Sequence, residues 1–234
     1  MDHITIAIDG PSGAGKSSLA KLIASRLGIS YVDTGAIYRT VGYAVRKYGV
    51  DPDDRESVSG ILPGISVGAV FEDGVQKMYL DGEYLGDRIR ENEISHYASK
   101  VSSYPEVREY LLETQRRIAR ENSVVMDGRD IGTVILPGAD VKIFLSADDV
   151  CRAARRTSEL LERGEKADPG RILAEIRERD LRDSSRAAAP LRPAEDAVLL
   201  DNTHLSLEMT LEAAIGIINE KLSSAGTVKT GKLP

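Results

Sequence analysis

Apolar residues along this chain fall into short continuous runs separated by stretches of helical period. That alternation is expected of strands buried on both faces with helices packed over them. Ile4, Ile6, Ala7 and Ile8 form the first run. A glycine-rich turn over residues 10–15 follows, then a helix predicted over Lys16–Leu27 that Gly28 stops. Tyr31 and Val32 supply a short second strand. Beyond Asp33-Thr34-Gly35, the apolar positions Ile37, Val41, Ala44 and Val45 recur at helical spacing until Asp51-Pro52 marks a boundary.

Residues 65–86 change period. Ile65, Val67, Ala69 and Phe71 alternate, Glu72-Asp73-Gly74 can turn, and Met78 to Leu80 return before Asp81-Gly82 turns again. This antiparallel unit reads either as a lobe inserted into an α/β chain or as an ordinary surface hairpin. Helical patterning resumes after Glu91, and Pro105 suits the first turn of a helix running towards Glu121. Ser123–Met126 and Val141–Leu145 are strand candidates, and Asp148 or Asp149 can cap the helix that carries Arg152, Arg155 and Arg156. Gly164, Pro169 and Gly170 break regularity in RGEKADPG, a mobile connection before a charged helix expected from about Arg171. Ala197–Leu200 reads as a last strand, Leu207–Leu222 as a last helix, and 223–234 as a flexible tail of small and polar residues. The strand–helix alternation predicts an α/β fold with a mostly parallel central sheet covered on both faces.

Bulk properties narrow the picture. With 234 residues the chain can bury one substantial core, and 31 Lys plus Arg against 37 Asp plus Glu give a formal charge of −6, so nucleic acid is not an expected partner. No run reaches the roughly twenty apolar residues of a membrane span, and the start MDHITIAIDG lacks the form of a signal peptide. A cytoplasmic protein without a membrane partner is expected, working as a monomer. The single cysteine, Cys151, has no intrachain partner, and His3, His96 and His204 show no zinc spacing.

The chemistry enters with GPSGAGKSS, residues 10–18, lying between a strand and a helix. Gly10, Gly15, Lys16 and Ser17 satisfy G-x-x-x-x-G-K-[ST]. In such a loop, backbone N–H groups from Gly10, Pro11, Ser12, Gly13, Ala14, Gly15, Lys16, Ser17 and Ser18 as a segment (Pro11 lacking one) surround the phosphates of ATP. The lysine supplies charge to the β and γ groups, and the Ser17 hydroxyl can ligate Mg²⁺. Asp9, at the strand end, and Asp127, after the strand at 123–126, are carboxylates that can organise the metal; either can instead cap a turn.

Arginine placement separates the remaining possibilities. Arg39, Arg108, Arg129, Arg179 and Arg186 lie at junctions of the elements above, and Arg179, Asp183 and Arg186 share i, i+4, i+7 spacing. Guanidinium forks of this kind suit an acceptor with its own phosphate, although alternating charge in RERDLRD also fits a solvated helix face. Arg152 and Arg156, with Arg155 between them, can close over ATP. An acceptor phosphate is already nucleophilic, so no catalytic base is required.

In this order, IDGPSGAGKSS, DTGAIYR, YPEVRE, DGRDIGTV, VKIFL and IRERDLRDSSRAAAPL resemble the bacterial cytidylate kinases, within the nucleoside-monophosphate kinase group of P-loop proteins. The resemblance spans residues 3–222. It implies a three-layer P-loop fold with core segments 1–64 and 98–222, a small monophosphate-binding lobe at 65–97 and a lid at 157–170. It also implies transfer of the ATP γ-phosphoryl group to CMP or dCMP with Mg²⁺. By the same resemblance Lys16, Arg129 and Arg186 are catalytic, and Arg39, Arg129 and Arg186 clamp the acceptor phosphate. Ser99, Arg108 and Asp130 read cytosine, and Arg179 and Asp183 serve the sugar side and closure. Thr34 stands where the family often has serine, which keeps a hydroxyl and adds a methyl beside the acceptor; Ser17-Ser18 replaces a Gly-Thr form. Two competing readings are a broader UMP/CMP kinase and a nonenzymatic nucleotide-dependent interaction switch.

Overall fold

The computed structural model describes residues 3–72 and 74–224. Its contacts divide the chain into two compact units, one built from Ile29–Val124 and the other from Ile4–Gly28 together with the chain from Val125 onward.

The second unit holds the parallel sheet. Strands β1 (Thr5–Asp9), β6 (Val124–Gly128), β7 (Val141–Ser146) and β8 (Val198–Asp201) lie in the order β6-β1-β7-β8. β1 pairs in parallel with β7, Ile6 opposite Val141 and Asp9 opposite Phe144, and β7 pairs in parallel with β8. Ile6, Ala7, Ile8, Val125 and Met126 are fully buried, which is why these strands read as continuous apolar runs rather than alternating ones. Around them stand α1 (Lys16–Leu27), α6 (Asp149–Glu162), α7 (Pro169–Ser185) and α8 (Leu207–Ser224). Gly28 closes α1 in the left-handed conformation, φ 64°, as expected from its place after the last apolar position.

The first unit contains β2 (Ser30–Asp33), α2 (Thr34–Lys47), α3 (Arg55–Ile61), α4 (Asn92–Val101) and α5 (Pro105–Glu121), with an antiparallel sheet of β3 (Val67–Glu72), β4 (Val75–Leu80) and β5 (Glu83–Tyr84). Val67 faces Leu80 and Glu72 faces Val75, so the hairpin sits where the alternating pattern placed it. Residue 73, in its turn, lies outside the described residues. Asp81 and Gly82 both adopt positive φ, 52° and 81°, the geometry that favours Asp-Gly between two antiparallel strands. α2 and α4 approach closely at Gly42, where a Cβ would lie 2.8 Å from the amide nitrogen of Ala98.

Three local readings change. Pro169 and Gly170 do not interrupt the chain before α7 but open it: Asp168 accepts hydrogen bonds from the amides of Gly170 and Arg171, and proline's missing N–H costs nothing at a first helical position. Asp148, not Asp149, caps α6 by accepting from the Cys151 amide at 2.6 Å. α3, unread in the sequence, is started by Asp54, which accepts from the amide and hydroxyl of Ser57. At the other end, α8 includes residues 223 and 224, while residues 225–234 of the expected tail lie outside the described residues. Among the described residues no helix is long and apolar enough to cross a membrane.

Candidate active site

The phosphate loop runs from the buried end of β1 into α1. Gly10 lies so close to β7 that a Cβ there would sit 2.0 Å from the carbonyl oxygen of Leu145, and Gly13 and Gly15 take positive φ of 76° and 89°. Only glycine meets both demands without strain. Lys16 is buried and its Nζ donates to the carbonyl of Pro11 at 2.7 Å, arching the side chain back over the loop. Burial, and after it the charge of Arg129, hold its ammonium well below the usual lysine range; Arg179 acts in the same direction and Asp127 opposes them. The Ser17 hydroxyl donates to Oδ2 of Asp127 at 2.8 Å in a half-buried bond. This hydroxyl–carboxylate pair at the end of the loop is a hard-oxygen donor set that fits Mg²⁺. Ser18 follows on the exposed side of the first helical turn.

The loop is held from behind by residues whose role the sequence did not disclose. Arg152, expected against ATP, is buried. It donates to the carbonyls of Ser12 at 3.0 Å and Ala147 at 2.9 Å and pairs with Asp180 at 2.6 Å. Asn202, just past β8, donates its amide to the carbonyl of Ala14 at 2.9 Å, and Arg155 donates to both the side-chain and main-chain oxygens of Asn202. Arg156 stands apart in an exposed pair with Glu159.

In the same unit the acceptor-side candidates are gathered as pairs. Arg129 Nε donates to Asp183 Oδ2 at 2.8 Å. Arg186 Nη2 lies 3.8 Å from Asp130 Oδ1, and its Nε donates to the carbonyl of Ala189 at 2.5 Å. Burial opposes ionisation of Asp183, but the charges of Arg129, Arg179 and Arg186 hold its carboxyl below the ordinary aspartate value. Asp9 does not face this group directly. It is buried, with Oδ1 accepting from the Ile131 amide at 2.8 Å and Oδ2 from the Gly132 amide at 2.7 Å. Desolvation pushes its carboxyl up to about 6 against the lowering effect of those two amides.

The other unit carries Thr34, Arg39, Ser99 and Arg108. Thr34, buried, is the first residue of α2, whose N-cap Asp33 accepts from the Ala36 amide through Oδ1 and from Arg39 Nη2 through Oδ2 at 2.7 Å. Gly35 lies beneath this pair: a Cβ there would lie 2.9 Å from Arg39 Nη1 and 3.0 Å from Asp33 Oδ1, so a larger residue would displace their tips. Gln76 of β4 brackets Asp33, accepting from its amide at 2.7 Å and donating to its carbonyl at 3.3 Å. Arg108 stacks over the Tyr38 ring at 5.5 Å and donates to the carbonyl of Ser102, whose hydroxyl donates to the carbonyl of Ser99. Ser102 thus links Ser99 and Arg108 through the turn joining α4 and α5.

A protein-family model described as cytidylate kinase matches residues 6–220. A cytidylate kinase of Caldicellulosiruptor bescii is 48% identical over 215 residues, covering 92% of this chain and 95% of that protein. The cytidylate kinase of Pasteurella multocida is 44% identical over 221 residues, covering 94% and 97%.

Proposed function

This chain belongs to the cytidylate kinase family, and from that premise we propose that it transfers the γ-phosphoryl group of ATP to CMP or dCMP, giving ADP and CDP or dCDP. The observation that carries the proposal is the pairing of a complete phosphate loop with arginines held in place by carboxylates in the same unit. In-line transfer between two anions needs positive charge on both sides of the reacting phosphorus, and little else.

Backbone amides of residues 10–18 hold the β and γ groups of ATP, and Lys16, a desolvated cation, gains an anionic partner when they arrive. Ser17 and Asp127 would hold Mg²⁺, which would supply charge neutralisation to the transferring phosphate. Both Asp9 oxygens already accept main-chain amides, so on this reading Asp9 stays outside the metal's surroundings. Arg39, Arg129 and Arg186 are assigned to the acceptor phosphate. Its oxygen attacks the γ phosphorus as the bond to the bridging oxygen breaks, and the electron pair leaves on ADP. When the acceptor phosphate engages Arg129, Asp183 loses part of its partner and turns to a sugar hydroxyl, with Arg179 beside it. Ser99, Arg108 and Asp130 are assigned to cytosine, and Thr34 to the floor under the acceptor. Residues 65–97 serve as the monophosphate-binding lobe and 157–170 as a lid that brings Arg156 towards ATP. The net charge of −6 supports work on small molecules without nucleic acid, and we place the enzyme in the cytoplasm as a monomer without a membrane partner.

Coupled ADP release with CMP, dCMP, UMP, AMP and GMP tests this reading. Turnover with CMP and dCMP well above the rest is expected. Equal turnover with UMP would recast the protein as a broader pyrimidine kinase, and ATP turnover indifferent to any acceptor would remove the transfer function.

A further inference from the structure

Asp9 is the last residue of β1, and the next residue opens the phosphate loop. Its side chain reaches 122 positions along the chain to accept the Ile131 amide, and the neighbouring Gly132 amide completes the pair. These are the first amides of a π-helical turn, Ile131–Ile135, marked by the bond from the Ile135 amide to the Asp130 carbonyl at 3.2 Å and from the Leu136 amide to the Ile131 carbonyl at 2.7 Å. The opening amides of any helical turn lack an internal acceptor, and the residue placed to supply one locally is Asp130. Asp130 makes no capping bond to this turn; its carboxylate is at Arg186 instead. The cap therefore comes from a distant strand, and the local carboxylate is used on the acceptor side. At Gly132 an added Cβ would crowd the Lys142 stem, 3.1 Å from Cδ, and lie at ordinary contact, 3.4 Å, from Asp9 Oδ2.

We propose that Asp9 is a positioning residue that sets the distance between the phosphate loop and the Arg129–Asp130 segment. This rests on the assignment of Arg129 and Asp130 to the acceptor. Through its main chain Asp9 leads into Gly10, which is fixed against Leu145; through its carboxylate it fixes the two amides that directly follow Asp130. Donor loop and acceptor segment are thereby referred to one side chain. A misplacement of about 1 Å is enough to cost about a hundredfold in rate for a reaction that depends on alignment. The geometry also accounts for an acidic residue buried beside the loop without a basic partner at hydrogen-bond distance among the described residues: its two acceptors are matched by two main-chain donors.

The test compares Asp9→Ala and Asp9→Asn with the wild type in full-length protein. Asp9→Ala removes both bonds, and Asp9→Asn keeps one acceptor and sets an amide donor against an N–H. Expected is a fall in kcat of about a hundredfold for Asp9→Ala and about tenfold for Asp9→Asn, with KM for ATP and the Mg²⁺ concentration for half-maximal rate unchanged. Amide exchange should accelerate across residues 131–136 while α1 stays protected. A raised Mg²⁺ requirement would make Asp9 a metal residue and overturn the proposal, as would wild-type kcat in the folded variants or unchanged exchange at 131–136. If Asp9→Ala does not fold, Asp9→Asn decides. The wild-type acceptor assay tests the functional reading separately; should it fail, exchange at 131–136 still decides whether Asp9 holds the turn.

Discussion

The phosphate loop and the arginines proposed for the acceptor would answer the same electrostatic problem by different means. The loop is made of main chain: glycines in conformations other residues avoid, a lysine bonded to a loop carbonyl, and a backing of Arg152 and Asn202 that bonds the outer carbonyls of Ser12 and Ala14. The arginines instead are held by carboxylates, Arg129 by Asp183, Arg186 near Asp130, and, within the other unit, Arg39 by Asp33. A pair of this kind keeps a guanidinium ordered and its charge compensated until an anion competes for it. On the proposed reading the donor site is preformed in its backbone, whereas the acceptor site would form by exchanging partners.

Mutations should separate the two designs. The largest effect is expected from Lys16→Ala, which removes charge that a fixed backbone cannot replace: kcat falls by about a thousandfold, while CMP binding measured by calorimetry persists. Near-normal turnover would show that Lys16 does not face the transferring phosphate. Arg186→Ala comes next, with kcat/KM for CMP reduced about 10- to 100-fold, the scale of one charged hydrogen bond, and ATP affinity retained; Arg186→Lys should not restore it, because a single ammonium lacks the fork geometry. Loss of ATP affinity in Arg186→Ala would place that residue on the donor side. Arg108→Met should narrow the preference for CMP over UMP by about tenfold, roughly the discrimination of one buried polar bond. Equal proportional losses on both nucleotides would reduce Arg108 to a support of the α4–α5 turn. The smallest change is expected at Asn202→Ala, which strips one bond from the back of the loop and leaves Arg155 only the main-chain oxygen of residue 202. Stability in denaturant should drop by about 1–3 kcal/mol, with only a modest rise in KM for ATP. A loss of turnover as deep as that of Lys16→Ala would mean that the loop depends on its backing more than on its own glycines.

What could be read from sequence follows the same division. The β1–loop–α1 unit is legible because strand, glycines and lysine are neighbours along the chain and each has a local physical reason. The buried strands and the 67–80 hairpin are legible from period alone. The short helix α3 was not, since seven residues with one buried apolar position, Val58, give no period, and its Asp54 cap sits in a run of acidic residues that reads as boundary. The place of Arg152 before the glycine-bearing connection suggests closure over ATP; that it is buried and paired with Asp180, 28 positions on, is a tertiary fact that helical position does not disclose. Asp180 lies within RERDLRD but one residue off the face shared by Arg179 and Asp183, so helical spacing did not select it. Asn202 had one usable signal, its place just beyond the carboxyl end of a parallel strand, where ligand-side residues collect. The turn after Asp130 was the least legible element, because the carboxylate that caps it stands at the far end of another strand.

Transfer itself is tested most directly by following the phosphorus. With ATP labelled in its γ-phosphoryl group, CMP and Mg²⁺, the label should appear in CDP in step with ADP, and Lys16→Ala should abolish both while still binding CMP. Label released as inorganic phosphate, with CMP unchanged, would contradict a donor loop and an acceptor clamp working on one phosphoryl group.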